Sequence, residues 1–469
     1  MPLSNAAPRH PSVYDRRPVR AVFAAFVVLS SVAVAASCAE DPASSPSPPD
    51  ASVADGVAAP PDGAAQVDAG DATIDAPAPL VNTCTDAGSF PETWLADPRL
   101  CLTVFADALS VARQMAFAPN GDLFVQAAGK INVLFDDDKS GAISDAERAT
   151  FATSVEGYAE LNHGLAFSPN GAFVYASNDT TVFRWAYAKG DREATGAAAI
   201  AVSNMPAGGG HVSRTLAFDP QGRLYVNVGV IGDVEPFPGD EGLRGMVRRF
   251  TIPASLPAGG IDYASGEIYA SGMRNEVGLS FDSKGRLWGV ENGSDGIDGD
   301  NPGEEINRLD GPGSRFFGHN QCWTEYALDG GLGRGTQWAY RGYSVEQTDA
   351  WCRDTKNVHP PAAVMQGHWA PLGVAEYTGA SLPWKGDLIV ASHGSSSRDP
   401  AVGRVLARAH VVGDSIQGAV TPIVGHAVDG GLEQGKWEVR PVDVRSGPDG
   451  ALYFSDDLGS RVFRLGYRP

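Results

Sequence analysis

The stretch that decides the fold is "GGGHVSRTLAFDPQGRLYVNVG", residues 208–229. An apolar segment, Leu216-Ala217-Phe218, runs into the turn Pro220-Gln221-Gly222, and a second segment, Leu224–Val228, leaves it. Proline fixes φ at the start of such a turn and glycine supplies a positive φ, so the two segments fold back as a hairpin. Their apolar and polar residues alternate with the period of a half-buried strand. The same unit recurs at Pro119-Asn120-Gly121, Pro169-Asn170-Gly171, Ser283-Lys284-Gly285, Trp384-Lys385-Gly386 and Pro448-Asp449-Gly450. The intervals between these glycines suit four-stranded units with loops of varying length. No long amphipathic helix pattern interrupts them. The reading is an all-β chain, a six-bladed β-propeller over residues 81–469, whose closure leaves only short, protected edges. The long intervals 285–386 and 386–450 require insertions, the main one a Gly-rich loop region around 291–360.

The N-terminus is of another kind. Arg9, Arg16, Arg17 and Arg20 precede an apolar run from Ala21 to Ala36, too short and too rich in small residues for a membrane span. Residues 1–37 read as a secretory signal peptide. Their end, Ala35-Ala36-Ser37-Cys38, resembles a bacterial lipoprotein box, which would place a lipid on Cys38; a plain signal cleaved nearby is the alternative. Between Ala39 and Leu80 stand eight acids and no Lys or Arg, among Ala, Pro, Ser and Gly. So little apolar surface cannot offset the entropy of ordering, and 38–80 reads as a disordered tether. The expectation is an exported domain in the periplasm or at the cell surface, anchored to the membrane only through that lipid.

The chain carries a formal charge of −20. Such acidity argues against nucleic acid as a partner and accommodates bound Ca²⁺. There are five cysteines. With Cys38 lipidated, their grouping favours Cys84–Cys101 and Cys322–Cys352 disulfides in an oxidising compartment, though other pairings stay open.

Residues 136–147, "DDDKSGAISDAE", fill every position of a calcium-binding loop. Asp136, Asp138 and Ser140 offer side-chain oxygens, Ala142 its carbonyl and Glu147 a bidentate carboxylate, while Gly141 allows the sharp turn. A helix from Ser144 through Phe151 would complete half an EF-hand; the competing reading is a solvated acidic hairpin tip. The run "GSDGIDGDNPGEE", 293–305, sets five carboxylates among glycines and offers either a second Ca²⁺ site or a solvated loop.

"HVSRTLAFDPQGRLYVNVG" resembles the signature of the soluble quinoprotein sugar dehydrogenases, the glucose/sorbosone dehydrogenase family, and is most similar to the L-sorbosone dehydrogenase branch. "GMRNEVGLSFDSKGRLWGVENG" (272–293), "GEEINRL" (303–309), "ASHGSSSRDPAVGRVLARA" (391–409) and "RPVDVRSGPDGALYFSDDLGSRVFRL" (440–465) resemble further family segments, in order and in different blades. The resemblance implies a propeller that holds pyrroloquinoline quinone (PQQ) and Ca²⁺ over its channel. It oxidises a sugar or related aldehyde or alcohol and passes electrons to an external acceptor. It makes His211 the general base, Arg274 and Asn275 cofactor contacts, with Arg274 also steadying developing negative charge, and Arg440 a partner of the cofactor's carboxylates. It gives the backbone carbonyls of Gly293 and Ser294 to the Ca²⁺; His393 and Arg398 either face the site from the fifth blade or are solvated loop residues, and His163 is expected in a structural or rim role.

The chain departs from the family at four places, one of them the insert "SDGIDGDNPG" (294–303), which is longer than typical. Val442 stands where glucose-oxidising members have a second arginine, Ser396-Ser397 where sorbosone-type members have Trp and Asn, and Ser294 where Pro is usual. These departures keep a second reading open, a non-catalytic propeller that binds a glycan, peptide or protein partner. A propeller lactonase would need a channel metal held by side-chain carboxylates from several blades, and no such set emerges from the sequence.

Overall fold

The computed structural model describes residues 80–85, 90, 93–233, 242–295, 297–311, 315–341, 347–395, 398, 401–426 and 437–469. The expected signal, Cys38, the tether up to residue 79 and Ser396-Ser397 lie outside the described residues.

Six sheets form six blades, each with four antiparallel strands; Ile261–Asp262 and Arg315–Phe316 add a parallel edge strand to blades two and three, and Thr93–Leu95 an antiparallel one to blade five. From the innermost strand outward, blade one is Ala112–Phe117, Leu123–Ala127, Lys130–Leu134 and Arg148–Thr153. Blade two is Leu165–Phe167, Phe173–Ser177, Val182–Ala186 and Ala199–Ser203. Blade three is Leu216–Phe218, Arg223–Val228, Met246–Thr251 and Glu267–Ser271. Blade four is Glu276–Phe281, Leu287–Glu291, Glu304–Arg308 and Ala363–Met365. Blade five is Pro371–Glu376, Leu388–His393, Arg404–Val412 and Ser415–His426. Blade six is Pro441–Ser446, Leu452–Asp456, Arg461–Tyr467 and, from the other end of the chain, Leu100–Ala106. That early strand pairs antiparallel with the last, Leu100 opposite Tyr467, and so locks the ring.

Each innermost strand touches those of the blades on either side, and the wheel closes. The six glycine turns join first and second strands as the sequence predicts; Gly222 has φ 80° and its counterparts are also left-handed. Small residues let the inner strands meet. A Cβ on Gly373 would stand 2.6 Å from the carbonyl oxygen of Val442 in the next blade. Val442 itself is fully buried and packs with Val277 and Leu372, one residue each from blades six, four and five. The position of the family's second arginine is here part of an apolar plug.

The 291–360 region holds more than a loop. It supplies blade four's third strand, Glu304–Arg308, and then a hairpin of Cys322–Thr324 with Gln337–Ala339 and a short helix, Asp349–Arg353. The Cys322–Cys352 disulfide ties hairpin to helix, and Cys84–Cys101 also forms. The helix expected over Ser144–Phe151 is not what the chain does. A single 3-10 turn covers Asp145–Glu147, and Arg148–Thr153 becomes blade one's outer strand, pairing with Lys130–Leu134. An unmatched strand edge outweighs a weak helical signal, because each backbone group there gains a partner.

Candidate active site

In a propeller the innermost strands all start at one end of the channel, and the second strands finish there. At that mouth the residues just before or at the first strands are Arg113, His163, His211, Arg274, His368 and Arg440, one from each blade. Four of them stand in segments whose sequence points to the cofactor or the rim; Arg113 and His368 carry no local signal.

His211 is held by its backbone and by its ring. Nδ1 lies 2.7 Å from the carbonyl oxygen of Val230. A carbonyl only accepts, so Nδ1 carries the proton and Nε2 keeps a lone pair. Burial, helped by the positive charge of Arg274, pushes the imidazole pKa down to about 4 despite the bond to Val230. The ring is therefore neutral, with a basic nitrogen free of that bond. Behind it, the buried Arg214 of the same HVSRT stretch donates to four backbone carbonyls, those of Pro206, His211, Ser213 and Asp179. Gly229, the last residue of the opening stretch, lets His211 meet its neighbours. A Cβ there would stand 2.6 Å from Asn275 Oδ1, 2.8 Å from His211 Cβ and 3.3 Å from the carbonyl oxygen of Arg274. His211, Arg274 and Asn275 thus converge on one glycine.

Arg274 is the centre of an acidic half of the mouth. Its Nε lies 2.9 Å from Asp233 and its Nη2 3.4 Å from Asp295. Its Nη1 donates to the carbonyl oxygen of Gly293 at 2.8 Å. That oxygen, expected to face Ca²⁺, is engaged here by a guanidinium, and Ser294 Oγ is bonded to Tyr340 Oη at 2.6 Å. The arrangement fits one cation at Gly293, and Arg274 is that cation. Asp295 also faces His368, whose pKa it raises. Glu304 accepts from the backbone N–H groups of Gly293 and Ala370; burial lifts its pKa to about 7 against those two bonds. Under Arg274, the carboxyls of Glu276, Glu291 and Glu305 surround Asn307 Nδ2, and burial raises all three pKa values, so they share protons rather than charges. His319, which the sequence reading missed, enters from the 291–360 region. Burial, then Arg274 and His211, push its pKa down to about 3, which keeps a second neutral imidazole at the mouth.

The opposite half is basic. Arg440 donates to His393, His393 faces Asp457, and Asp457 accepts from Arg113. Arg113 Nε reaches His163 Nδ1 at 3.3 Å. His393 is thus at the mouth, with both nitrogens engaged. Arg398 is not drawn into either set: its Nη1 donates to Asp300 at 2.6 Å. The acidic 293–305 run as a whole is satisfied by protein donors. Asp298 accepts from Asp300 N and Asn301, and Asp300 takes Gln366 as well as Arg398. No cation is needed to explain that loop.

A remote constellation does fit one. Oxygens of Asp136, Asp138 and Glu147 lie within 4.8 Å of one another, the only such group among the described residues. Asp136 Oδ1 is buried with no hydrogen-bond partner among the described residues. Ser140 Oγ and the Ala142 carbonyl lie 2.9 Å apart beside them.

A family model described as TrAA12-like matches residues 96–467. The chain belongs to the TrAA12-like family. That span takes in all six blades and both halves of the mouth, and it agrees with the resemblance carried by the quoted segments. A PQQ-dependent pyranose dehydrogenase of Coprinopsis cinerea is 26% identical over 319 residues, 63% of this chain and 42% of that protein. A PQQ-dependent sugar dehydrogenase of Hypocrea jecorina is 26% identical, over 62% of this chain and 71% of that protein. This TrAA12-like chain therefore matches about two fifths of the first relative's length and most of the second's. Among solved structures, the calcium structure of a Trichoderma reesei family AA12 carbohydrate-active enzyme gives a TM-score of 0.70 at 25% identity, covering 82% of this chain and 100% of that one. The holo form of the Coprinopsis cinerea pyranose dehydrogenase PQQ domain gives 0.69 at 23% identity, covering 82% and 99%, a likeness of fold.

Proposed function

We propose that this chain is a PQQ-dependent oxidoreductase of sugars or related aldehydes and alcohols, exported and tethered through Cys38, that hands electrons to an external acceptor. The observation that carries the reading is an imidazole whose Nδ1 is bonded to the Val230 carbonyl, which makes Nε2 its basic nitrogen, set beside a guanidinium at the mouth of a six-bladed channel. When bound, the quinone supplies the hydride acceptor. His211 Nε2 takes the proton of the substrate hydroxyl, and Val230 keeps the ring in the tautomer that can do so. Arg274 and Asn275 lie where developing negative charge would need donors. Arg113 and Arg440 offer donors to an anionic cofactor, and Arg440 Nε–H is buried with no hydrogen-bond partner among the described residues. The apolar plug of Val277, Leu372 and Val442 backs the mouth with apolar side chains, where hydrogen bonds are stronger. The Gly293 and Ser294 carbonyls would be the donors to Ca²⁺, which would compete with the Arg274 guanidinium for the Gly293 oxygen. The two disulfides support an oxidising compartment.

The test is equilibrium titration of the purified protein with PQQ, with and without Ca²⁺, followed by addition of aldoses. The expected result is a bound-quinone absorption band that sugar bleaches. Absence of quinone binding at micromolar concentrations refutes the reading and leaves the alternative, a propeller that binds a glycan or protein partner.

The 136–147 loop is the second part of the proposal: a structural Ca²⁺ site with Asp136, Asp138, Ser140, Ala142 and Glu147 as ligands. Its neighbour Ile143 donates its N–H to Phe105 in the strand that closes the ring, at 2.7 Å. Calcium there stiffens the closure. Glu147→Gln is expected to weaken Ca²⁺ binding about tenfold or more by calorimetry. Chelation should lower the melting temperature of the parent protein and leave that of the variant unchanged. A parent protein that melts identically with and without chelator contradicts the assignment.

A further inference from the structure

We infer that Asp457 aims Arg440 and Arg113 into the mouth, with His393 as its intermediary, so that a histidine–aspartate pair serves here as a strut for arginines. Arg440 Nη2 lies 2.8 Å from His393 Nδ1. A guanidinium has donors only, so Nδ1 must present its lone pair, and the ring's one proton sits on Nε2. Nε2 in turn lies 2.9 and 3.0 Å from the two oxygens of Asp457. Both nitrogens are thus spoken for, and the tautomer is fixed from both sides. It is the opposite of His211, whose Nδ1–H leaves Nε2 basic. Burial holds His393 below the usual imidazole range although Asp457 pulls the other way, consistent with a ring that stays neutral.

The same carboxylate holds Arg113, whose Nη1 lies 2.8 Å from Asp457 Oδ2. The side chains of Arg113, Asp457 and His393 are 16%, 11% and 14% exposed, so little water screens the set. One aspartate of blade six therefore fixes a guanidinium of blade one and, through a ring of blade five, a second guanidinium of its own blade. Three arginines, Arg113, Arg440 and Arg445, meet two carboxylates here, Asp457 and Asp443, whereas across the mouth Arg274 faces two, Asp233 and Asp295. The surplus positive charge lies on the Asp457 side, and an anionic ligand is drawn to that side with its acidic groups toward Arg113 and Arg440.

The ligand in this inference rests on the quinone reading, but the strut does not, and the experiment separates the two. Histidine ¹⁵N NMR of the ligand-free protein is expected to show His393 as the Nε2–H tautomer; an Nδ1–H ring overturns the strut whether or not quinone binds. Where the parent protein binds PQQ, Asp457→Asn is expected to weaken that binding about tenfold. In an Arg440→Gln background the same change should weaken binding markedly less, since part of its effect runs through Arg440; fully additive losses overturn the proposal. His393→Gln can accept from Arg440 through Oε1 and donate to Asp457 through Nε2, and should retain most of the parent's affinity. His393→Leu, which only fills the space, should lose about tenfold. Equal affinity of the Gln and Leu variants contradicts the strut, and this pair decides the matter even where Asp457→Asn does not fold.

Discussion

His211→Ala is expected to slow sugar oxidation by about 10²–10⁴ while quinone still binds. The magnitude is that of general-base assistance alone, because Arg274, Asn275 and the basic half of the mouth are untouched. The proton on Nδ1 is committed to Val230, and Nε2 is the atom whose loss the rate reports. The pH dependence follows from the depressed pKa. A free imidazole would lose its basic form as pH falls through 6.5, but this ring keeps it down to about 4, so the acidic limb of the rate profile belongs near pH 4. The same shift bears on stability. As pH falls below 6.5 the unfolded chain takes up a proton that the folded ring resists until about 4, so this residue costs stability across that window, and the alanine variant should lose less there. Stopped-flow reduction of the bound quinone from pH 4 to 8 measures the rate. A variant that reduces quinone at the parent rate removes His211 from the chemistry.

The wheel was readable because its signals are local. A hairpin needs a turn of the right residues between two alternating segments, and Pro119-Asn120-Gly121 through Pro448-Asp449-Gly450 carry that information within about ten residues each. The strand that locks the ring was not readable, since Leu100–Ala106 finds Arg461–Tyr467 across nearly the whole domain. The site divides the same way. His211, Arg274 and Arg440 stand at the heads of first strands inside recognisable segments. Their partners do not. Asp457 meets Arg113 across 344 positions, and Asp233 meets Arg274 from another blade, so no spacing announces either pair. His319 comes from a region whose composition says only that it is long. Ser144–Phe151 shows the reverse error, where a motif's usual context was expected and the blade's need for an outer strand prevailed.

Arg214 carries the second large effect, and it joins fold to chemistry. The side chain is fully buried and, among the described residues, makes no ion pair; its donors serve four carbonyls at 2.8–2.9 Å, three of them in the loop that carries His211 and one in blade two. Burial, then Arg244, lowers its pKa to about 10 although Tyr263 and Asp179 pull the other way, still high enough to keep the charge at neutral pH. Lysine in its place keeps a charge but offers three donors from one nitrogen, and cannot span carbonyls spread around a planar fork. At least one buried carbonyl is then left unpaired, at about 1–3 kcal/mol each. Arg214→Lys is therefore expected to destabilise the domain by on the order of 2–4 kcal/mol in denaturant unfolding. It should also lower kcat more than quinone affinity, because the released backbone of residues 206–213 carries the imidazole away from Arg274 while the basic half of the mouth keeps its grip. A Lys variant that is less stable yet turns over at the parent rate would show that the four carbonyls matter to folding and not to the aim of His211.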